Sequence, residues 1–152
     1  MSKSVIWNCV PFHQLTLEQL YKLLQIRQEV FIIEQDCPYL DNDDKDQYAW
    51  HLWAEQDGQI LGCSRLLPSG ISYPNAASIG RVLTHSSARG TGLGKELMVR
   101  SIQRTKALFP GAAIKIGAQT YLRRFYEGFG FEQCVEEYLE DDIPHIGMLL
   151  SD

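Results

Sequence analysis

The stretch "ASIGRVLTHSSARGTGLGKELM", residues 77–98, constrains the fold more than any other, because a β-prone run passes through a glycine-rich turn into apolar residues at helical spacing. Its turn, "RGTGLG" at 89–94, packs three glycines into six residues and opens on an arginine. Bare backbone ahead of a helix leaves N–H groups without intrahelical partners, and the helix dipole adds about half a positive charge there. The stretch therefore predicts a site for a phosphate-bearing ligand. A P-loop, G-x-x-x-x-G-K-[ST], fails twice: Arg89 stands where the first glycine belongs, and Glu96 replaces the metal-binding hydroxyl. A dinucleotide fingerprint, G-x-G-x-x-G, counted from Gly92 ends on Leu97, and a β-hairpin rather than a parallel unit precedes it. The pattern R-x-x-G-x-G between a strand and a helix is met by Arg89, Gly92 and Gly94. That arrangement suits a pyrophosphate resting on free amides.

The remaining chain alternates strand and helix signals in the order β-α-β-β-β-α-β-α-β-β, a mixed α/β domain. Thr16 and Gln19 have capping-box spacing and predict a helix whose stripe is Leu20, Leu24, Arg27 and Phe31. An arginine in that stripe needs an anion, and Glu34 lies on nearly the same face. A structural ion pair between the two, or a snorkelling Arg27, is expected. Asp57-Gly58 predicts a hairpin between "AWHLWAEQ" and "QILGCSRLL". A helix from about Gly92 to Leu108, the strand "AIKIGA", a short helix in "TYLRRFYEGF" and two last strands complete the chain.

With 152 residues, a single domain over 1–152 is expected, large enough for a core without disulfides or metal. No run approaches the roughly 20 apolar residues of a membrane span, and "MSKSVIWNCVPFHQ" lacks the apolar region of a secretory signal. A soluble, cytoplasmic protein with no membrane partner is the expectation. Cys9, Cys37, Cys63 and Cys134 are scattered without metal-ligand spacing, so they read as structural thiols and no metal is expected. A net charge of -5 argues against nucleic acid as a partner. "DNDDKD" (41–46) and "EEYLEDD" (136–142) hold nine of the nineteen acids. Such runs are usually solvated loops, but beside a cleft they would draw in a cationic amine.

"GRVLTHSSARGTGLGKELM" resembles the acetyl-coenzyme A binding motif of the GCN5-related N-acetyltransferases (GNAT), and "AQTYLRRFYEGFGF" resembles the motif that follows it in that family. "LLQIRQEVFIIEQDCPYLD" and "EDDIPHIGM" are similar to the ElaA-like branch. The resemblance covers nearly the whole chain. It implies a mixed, mostly antiparallel sheet of six to seven strands flanked by helices and splayed between the fourth and fifth strands. It also implies acetyl-CoA as co-substrate. The amides of Arg89, Gly90, Thr91, Gly92, Leu93, Gly94 and Lys95 would take the pyrophosphate, and the backbone of Val82, Leu83 and Thr84 the pantetheine arm. Gln119 and Phe125 would help line the site.

By the same resemblance Tyr126 is the general acid for the departing thiolate, with Tyr121 a weaker stand-in. A tyrosine packed between Phe125 and Phe129 is the structural alternative. Glu34, His51 and His145 are the candidates for a general base, and attack through a water relay requires none of them. The implied activity is transfer of an acetyl group from acetyl-CoA to the primary amine of a cationic small molecule or a peptide. Two alternatives stay open: an acyl-CoA-binding regulatory module without turnover, and, more remotely, acyl-homoserine lactone synthesis. A homodimer is an admissible assembly.

Overall fold

The computed structural model describes residues 4–151. Strand β1 (Ile6–Pro11) leads through a short 3-10 turn to helix α1 (Leu17–Arg27). Both halves of the expected capping box form: the Gln19 amide donates to Thr16 Oγ1 at 3.1 Å, and the Thr16 amide to Gln19 Oε1 at 2.9 Å. The buried stripe of α1 is Leu23, Ile26 and Arg27, continued by Val30, rather than the stripe through Leu20 and Leu24. From Gln28 to Glu34 the backbone is π-helical. The wider turn shifts each side chain around the axis relative to a straight α-helix, so Arg27 and Glu34 part company. Arg27 pairs with Asp41 and Asp46, and Glu34 with Arg89, which corrects the expected Arg27–Glu34 pair.

Seven strands form one sheet in the order β1-β2-β3-β4-β5-β7-β6, where β2 is Trp50–Gln56, β3 Gln59–Leu67, β4 Ala76–Thr84, β5 Ala113–Gln119, β6 Glu132–Glu140 and β7 Ile143–Leu150. The β2–β3 hairpin turns on Asp57 and Gly58, both with positive φ (54° and 76°), the geometry that suits a tight hairpin twist. Helix α2 (Leu93–Leu108) buries Leu97 and Met98 completely against Leu52, Leu66, Ile79, Ile114, Ile116 and Met148. Each such side chain contributes roughly 1.5–3 kcal/mol by leaving water. Helix α1, through Leu23 and Ile26, and the π-helical turn after it, through Val30, cover the other face against Trp53, Cys63 and Leu83. Short helix α3 (Arg123–Glu127) follows β5 directly and closes one end of the core with Tyr126.

Every neighbouring pair is antiparallel except β4 and β5, whose parallel pairing holds only from Ala76 to Ser78 against Ala113 to Lys115. Beyond Ser78 the two strands separate, opening a cleft between "IGRVLT" and "IGAQ". Strand β4 also bulges against β3: Leu83 opposes Cys63 and Gly80 opposes Arg65, so Arg81 and Val82 together face Ser64. Arg81 carries the strain of that bulge, with φ at 50°. A left-handed conformation costs a residue with a Cβ roughly 1–2 kcal/mol.

The acidic loop 41–46 is not a free negative surface. Asp41 and Asp46 each lie 2.8 Å from Arg27, Asp43 accepts two bonds from Arg65 at 2.7 and 2.9 Å, and Asp46 also pairs with Arg65 at 3.2 Å. Arg81 joins them at Asp41 (2.8 Å) and Asp43 (3.3 Å). Three arginines from α1, β3 and β4 thus converge on three carboxylates, and of the acids in the run only Asp44 is left exposed. Among the described residues no helix is long and apolar enough to cross a membrane.

Candidate active site

The glycine turn sits where β4 has left the sheet and α2 begins. Gly90 and Gly92 both have positive φ (80° and 86°), and a Cβ at either would meet nothing within 4 Å. Their need for glycine is therefore one of conformation, and the space above them is open. Gly92 caps α2, and the first amide to close a helical turn is that of Glu96, onto the Gly92 carbonyl at 3.2 Å. The amides of Leu93, Gly94 and Lys95 have no carbonyl one turn back and point out of the helix end. Free amides at a helix N-terminus are the arrangement that suits an anionic group. The Arg89 amide is engaged, weakly, with the Ser86 carbonyl at 3.4 Å. The Arg89 side chain bridges to Glu34 Oε1 (2.7 Å) and to the Thr84 carbonyl (2.9 Å).

Val82, Leu83 and Thr84 follow the bulge along the cleft edge of β4. Leu83 is buried on the α1 side, while Val82 packs toward the α2 side. Tyr126 is carried by α3, which starts after a single 3-10 turn (Thr120–Leu122) following β5, and it lies in the core cluster that holds Ile116 and Ala118 of that strand. Its ring meets Phe125 and Phe131 edge-on, with centroids 5.2 and 6.1 Å away. Burial, with a smaller contribution from Tyr121, pushes its phenol up to about 12. Phe125, more exposed, also packs edge-on against Phe129. Tyr121 is largely exposed.

The three base candidates have separate surroundings. Glu34 is tied to Arg89 beside the glycine turn. His51, on β2, is buried, and its Nε2 lies 3.0 Å from the Asp46 carbonyl. Burial lowers its pKa, so it stays neutral beside the arginine cluster. His145, on β7, stands directly across from Gln119 at the end of β5. Its Nδ1 is 2.7 Å from the Ile143 carbonyl, which makes Nδ1 the donor, and its Nε2 faces Glu140 at 3.5 Å. Only His145 of the three lies on the strand that neighbours the cleft strand β5.

Two tyrosines escaped the sequence reading. A Cβ on Gly117 of β5 would lie 2.8 Å from the Tyr138 hydroxyl and 3.7 Å from that of Tyr73. The missing side chain lets both hydroxyls converge on one spot of the cleft strand. Tyr138 stacks on His145, its cross-strand partner. That pairing was legible, because the two residues are equidistant from the Asp141-Asp142 turn. Tyr73 comes from the loop before β4 and carries no local signal. The loop after the π-helical turn leans on the same region: Cys37 Sγ reaches the Asp141 carbonyl at 3.3 Å, and Gln119 Nε2 reaches Gln35 Oε1 at 3.5 Å. No cluster of three or more His, Cys, Asp or Glu able to hold a metal occurs among the described residues.

A sheet that splays after one short parallel pairing, next to an open helix N-terminus, defines the acyl-CoA N-acyltransferase fold. A family profile described as an acetyltransferase (GNAT) domain matches residues 16–151, and the chain belongs to that family. It is 36% identical over 144 residues to protein ElaA of Escherichia coli, covering 93% of this chain and 94% of ElaA. A UPF0039 protein of Synechocystis is 37% identical over 144 residues, covering 94% and 93% of the two chains. Among solved structures, an acyl-CoA N-acyltransferase from Pseudomonas aeruginosa superposes with a TM-score of 0.93 at 44% identity, over 97% of this chain and all of that one. Escherichia coli ElaA does so with a TM-score of 0.91 at 34% identity, again over 97% and 100%. These relatives place the chain in the ElaA-like branch of the family.

Replacing Gly92 by valine tests the cradle. A β-branched residue at that φ distorts the helix entry and crowds the open space, so acetyl-CoA should bind about 10- to 100-fold more weakly, the equivalent of one charge-assisted hydrogen bond. Calorimetric titration, with circular dichroism as the check on folding, measures this. Unchanged affinity would reduce the loop to a tight turn.

Proposed function

We propose that this protein transfers the acetyl group of acetyl-CoA to a primary amine by direct attack, through a tetrahedral intermediate. The observation that carries the proposal is the coincidence of three features at one cleft: the open amides of Leu93, Gly94 and Lys95, the unpaired edge of β4 after Ser78, and Tyr126 at its core end. The amides and the Arg89 guanidinium hold the pyrophosphate, after Arg89 has released Glu34. The backbone of Val82, Leu83 and Thr84 takes the pantetheine arm as an added strand. An amide at Val82 or Leu83 polarises the thioester carbonyl and then stabilises the oxyanion.

Tyr126 gives its proton to the departing sulfur. At about 12 its phenol is fully protonated at neutral pH, as an acid should be, but it is a weaker acid than an ordinary thiol near 8.5. The gap is roughly 5 kcal/mol, so proton transfer belongs with cleavage of the C–S bond, in a pocket whose apolar walls raise the basicity of sulfur as they raise that of the phenolate. His145 suits the role of base, directly or through water, because its Nδ1 is anchored by the Ile143 carbonyl, which leaves Nε2, beside Glu140, as the acceptor, and because its backbone pairs with Gln119 of the cleft strand. The acceptor enters over Gly117, between the loop after the π-helical turn and the β6–β7 hairpin.

Attraction of a cationic acceptor falls to the second acidic run, since the first is neutralised by arginine. Glu140, Asp141 and Asp142 are exposed at that hairpin. Raising ionic strength from low to physiological values should raise the KM for a cationic amine several-fold and leave kcat unchanged. A salt-independent KM would remove steering from the account. The overall test is a panel of primary amines with acetyl-CoA, followed by release of free thiol. Binding of acetyl-CoA without thiol release from any amine favours a regulatory acyl-CoA-binding module instead.

A further inference from the structure

Arg81 is an unusual occupant of its position. It takes the left-handed conformation inside the β4 bulge, while the neighbouring Gly80, which could adopt it freely, does not. Among the described residues the polar contacts of the Arg81 side chain go to one segment: an ion pair of Nε with Asp41 Oδ1 (2.8 Å), and hydrogen bonds from Nη2 to the Asp41 carbonyl (3.0 Å) and to Asp43 Oδ2 (3.3 Å). Its guanidinium also lies over the ring of Tyr39, 5.9 Å from the centroid. That segment is itself immobilised, by Arg27 on Asp41 and Asp46 and by Arg65 on Asp43 and Asp46. The tether therefore runs from two core elements, through a rigid loop, to the one strained residue at the mouth of the splay.

We infer that Arg81, held by Asp41 and Asp43, is a positioning residue that fixes the β4 bulge and thereby aims the amide of Val82 or Leu83 at the thioester carbonyl. The inference rests on the proposed acetyl transfer. Val82 is the next residue after Arg81, so a rotation at Arg81 turns its amide directly. An arginine disfavours this backbone, and its side-chain anchorage is what keeps it there. The acidic loop then serves the reaction as a truss for the oxyanion donor, and its charges act on backbone geometry rather than on substrate. A misplacement of about 1 Å in such a donor lowers turnover on the order of 100-fold.

The test compares wild type with Arg81→Gly, which relieves the left-handed strain and removes the tether, and with Asp43→Asn, which weakens the tether and leaves β4 intact. Three quantities are read: the dissociation constant of acetyl-CoA, kcat with the best amine of the panel, and the infrared stretching band of the thioester carbonyl in isotope-labelled bound acetyl-CoA. In wild type the band should shift to lower frequency on binding. In Arg81→Gly it should return toward the free value, with kcat down about 100-fold and the dissociation constant within about threefold of wild type. Asp43→Asn should move both quantities part of the way, and it decides the matter alone where Arg81→Gly fails to fold. An unmoved band in the folded variants overturns the inference, as does a loss of activity explained entirely by weaker binding. Failure of wild type to bind acetyl-CoA overturns this inference and the proposed function together. Binding with a shifted band but no thiol release overturns amine transfer alone, and the band in the variants still decides the role of Arg81.

Discussion

Replacement of Tyr126 by phenylalanine should lower kcat by about 10²- to 10⁴-fold, the usual contribution of a positioned proton donor, while acetyl-CoA affinity stays within a few-fold of wild type. The fold should survive, because phenylalanine keeps the edge-on contacts with Phe125 and Phe131. This combination separates a catalytic phenol from a packing one. A tyrosine serving only the core would leave turnover untouched, and such a result would remove Tyr126 from the mechanism. The pH dependence offers a second check. With the phenol at about 12, kcat/KM should show no alkaline fall attributable to Tyr126 until the pH approaches that value.

The other large effect concerns stability. Arg27 is 3% exposed and bridges two buried carboxylates, so Arg27→Met deprives Asp41 and Asp46 of their shared cation and leaves each with one other arginine, Arg81 for Asp41 and Arg65 for Asp46. Breaking a buried ionic group from one side costs about 3–5 kcal/mol, a large part of the roughly 5–15 kcal/mol that holds a domain together. Urea unfolding should show that loss, with a fall in melting temperature of about 10 °C. A loss below about 1 kcal/mol would mean that the cluster is effectively solvated.

The same cluster sets the response to acid. Burial alone would raise the carboxyl of Asp43, but the Arg65 and Arg81 guanidiniums hold it at about 2, and Asp46 is likewise held low, mainly by Arg27. Their contribution is complete above the unfolded value near 4 and is lost as pH falls from there toward 2. His51, whose pKa burial lowers, adds an earlier step: its stabilisation is complete above about 6.5 and declines below it. Stability should therefore begin to fall below about pH 6.5 and drop more steeply below about pH 4.

Much of this architecture was written in local signals. The Thr16–Gln19 capping box, the Asp57-Gly58 hairpin and the strand, glycine turn and helix around residues 77–98 each depend on neighbours in sequence, and each formed as expected. The splay between β4 and β5 came from the family resemblance, since no residue announces an absent hydrogen bond. What escaped prediction was non-local. The π-helical turn moved Glu34 from Arg27 to Arg89, and no propensity signals such a turn in advance. The run "DNDDKD" looked like solvated charge because its three arginine partners lie 14 to 40 residues away along the chain. Tyr73 reaches Gly117 only through the sheet, and its role above that glycine could not be read from either segment alone.

The central claim is that the cleft between β4 and β5 binds acetyl-CoA and delivers its acetyl group. Titration of acetyl-CoA into the folded protein, followed in the same preparation by thiol release with an amine panel, tests it most directly. One molecule should bind per chain, more weakly in Gly92→Val, and amine-dependent thiol release should collapse in Tyr126→Phe. Absence of acetyl-CoA binding by the folded protein would contradict it.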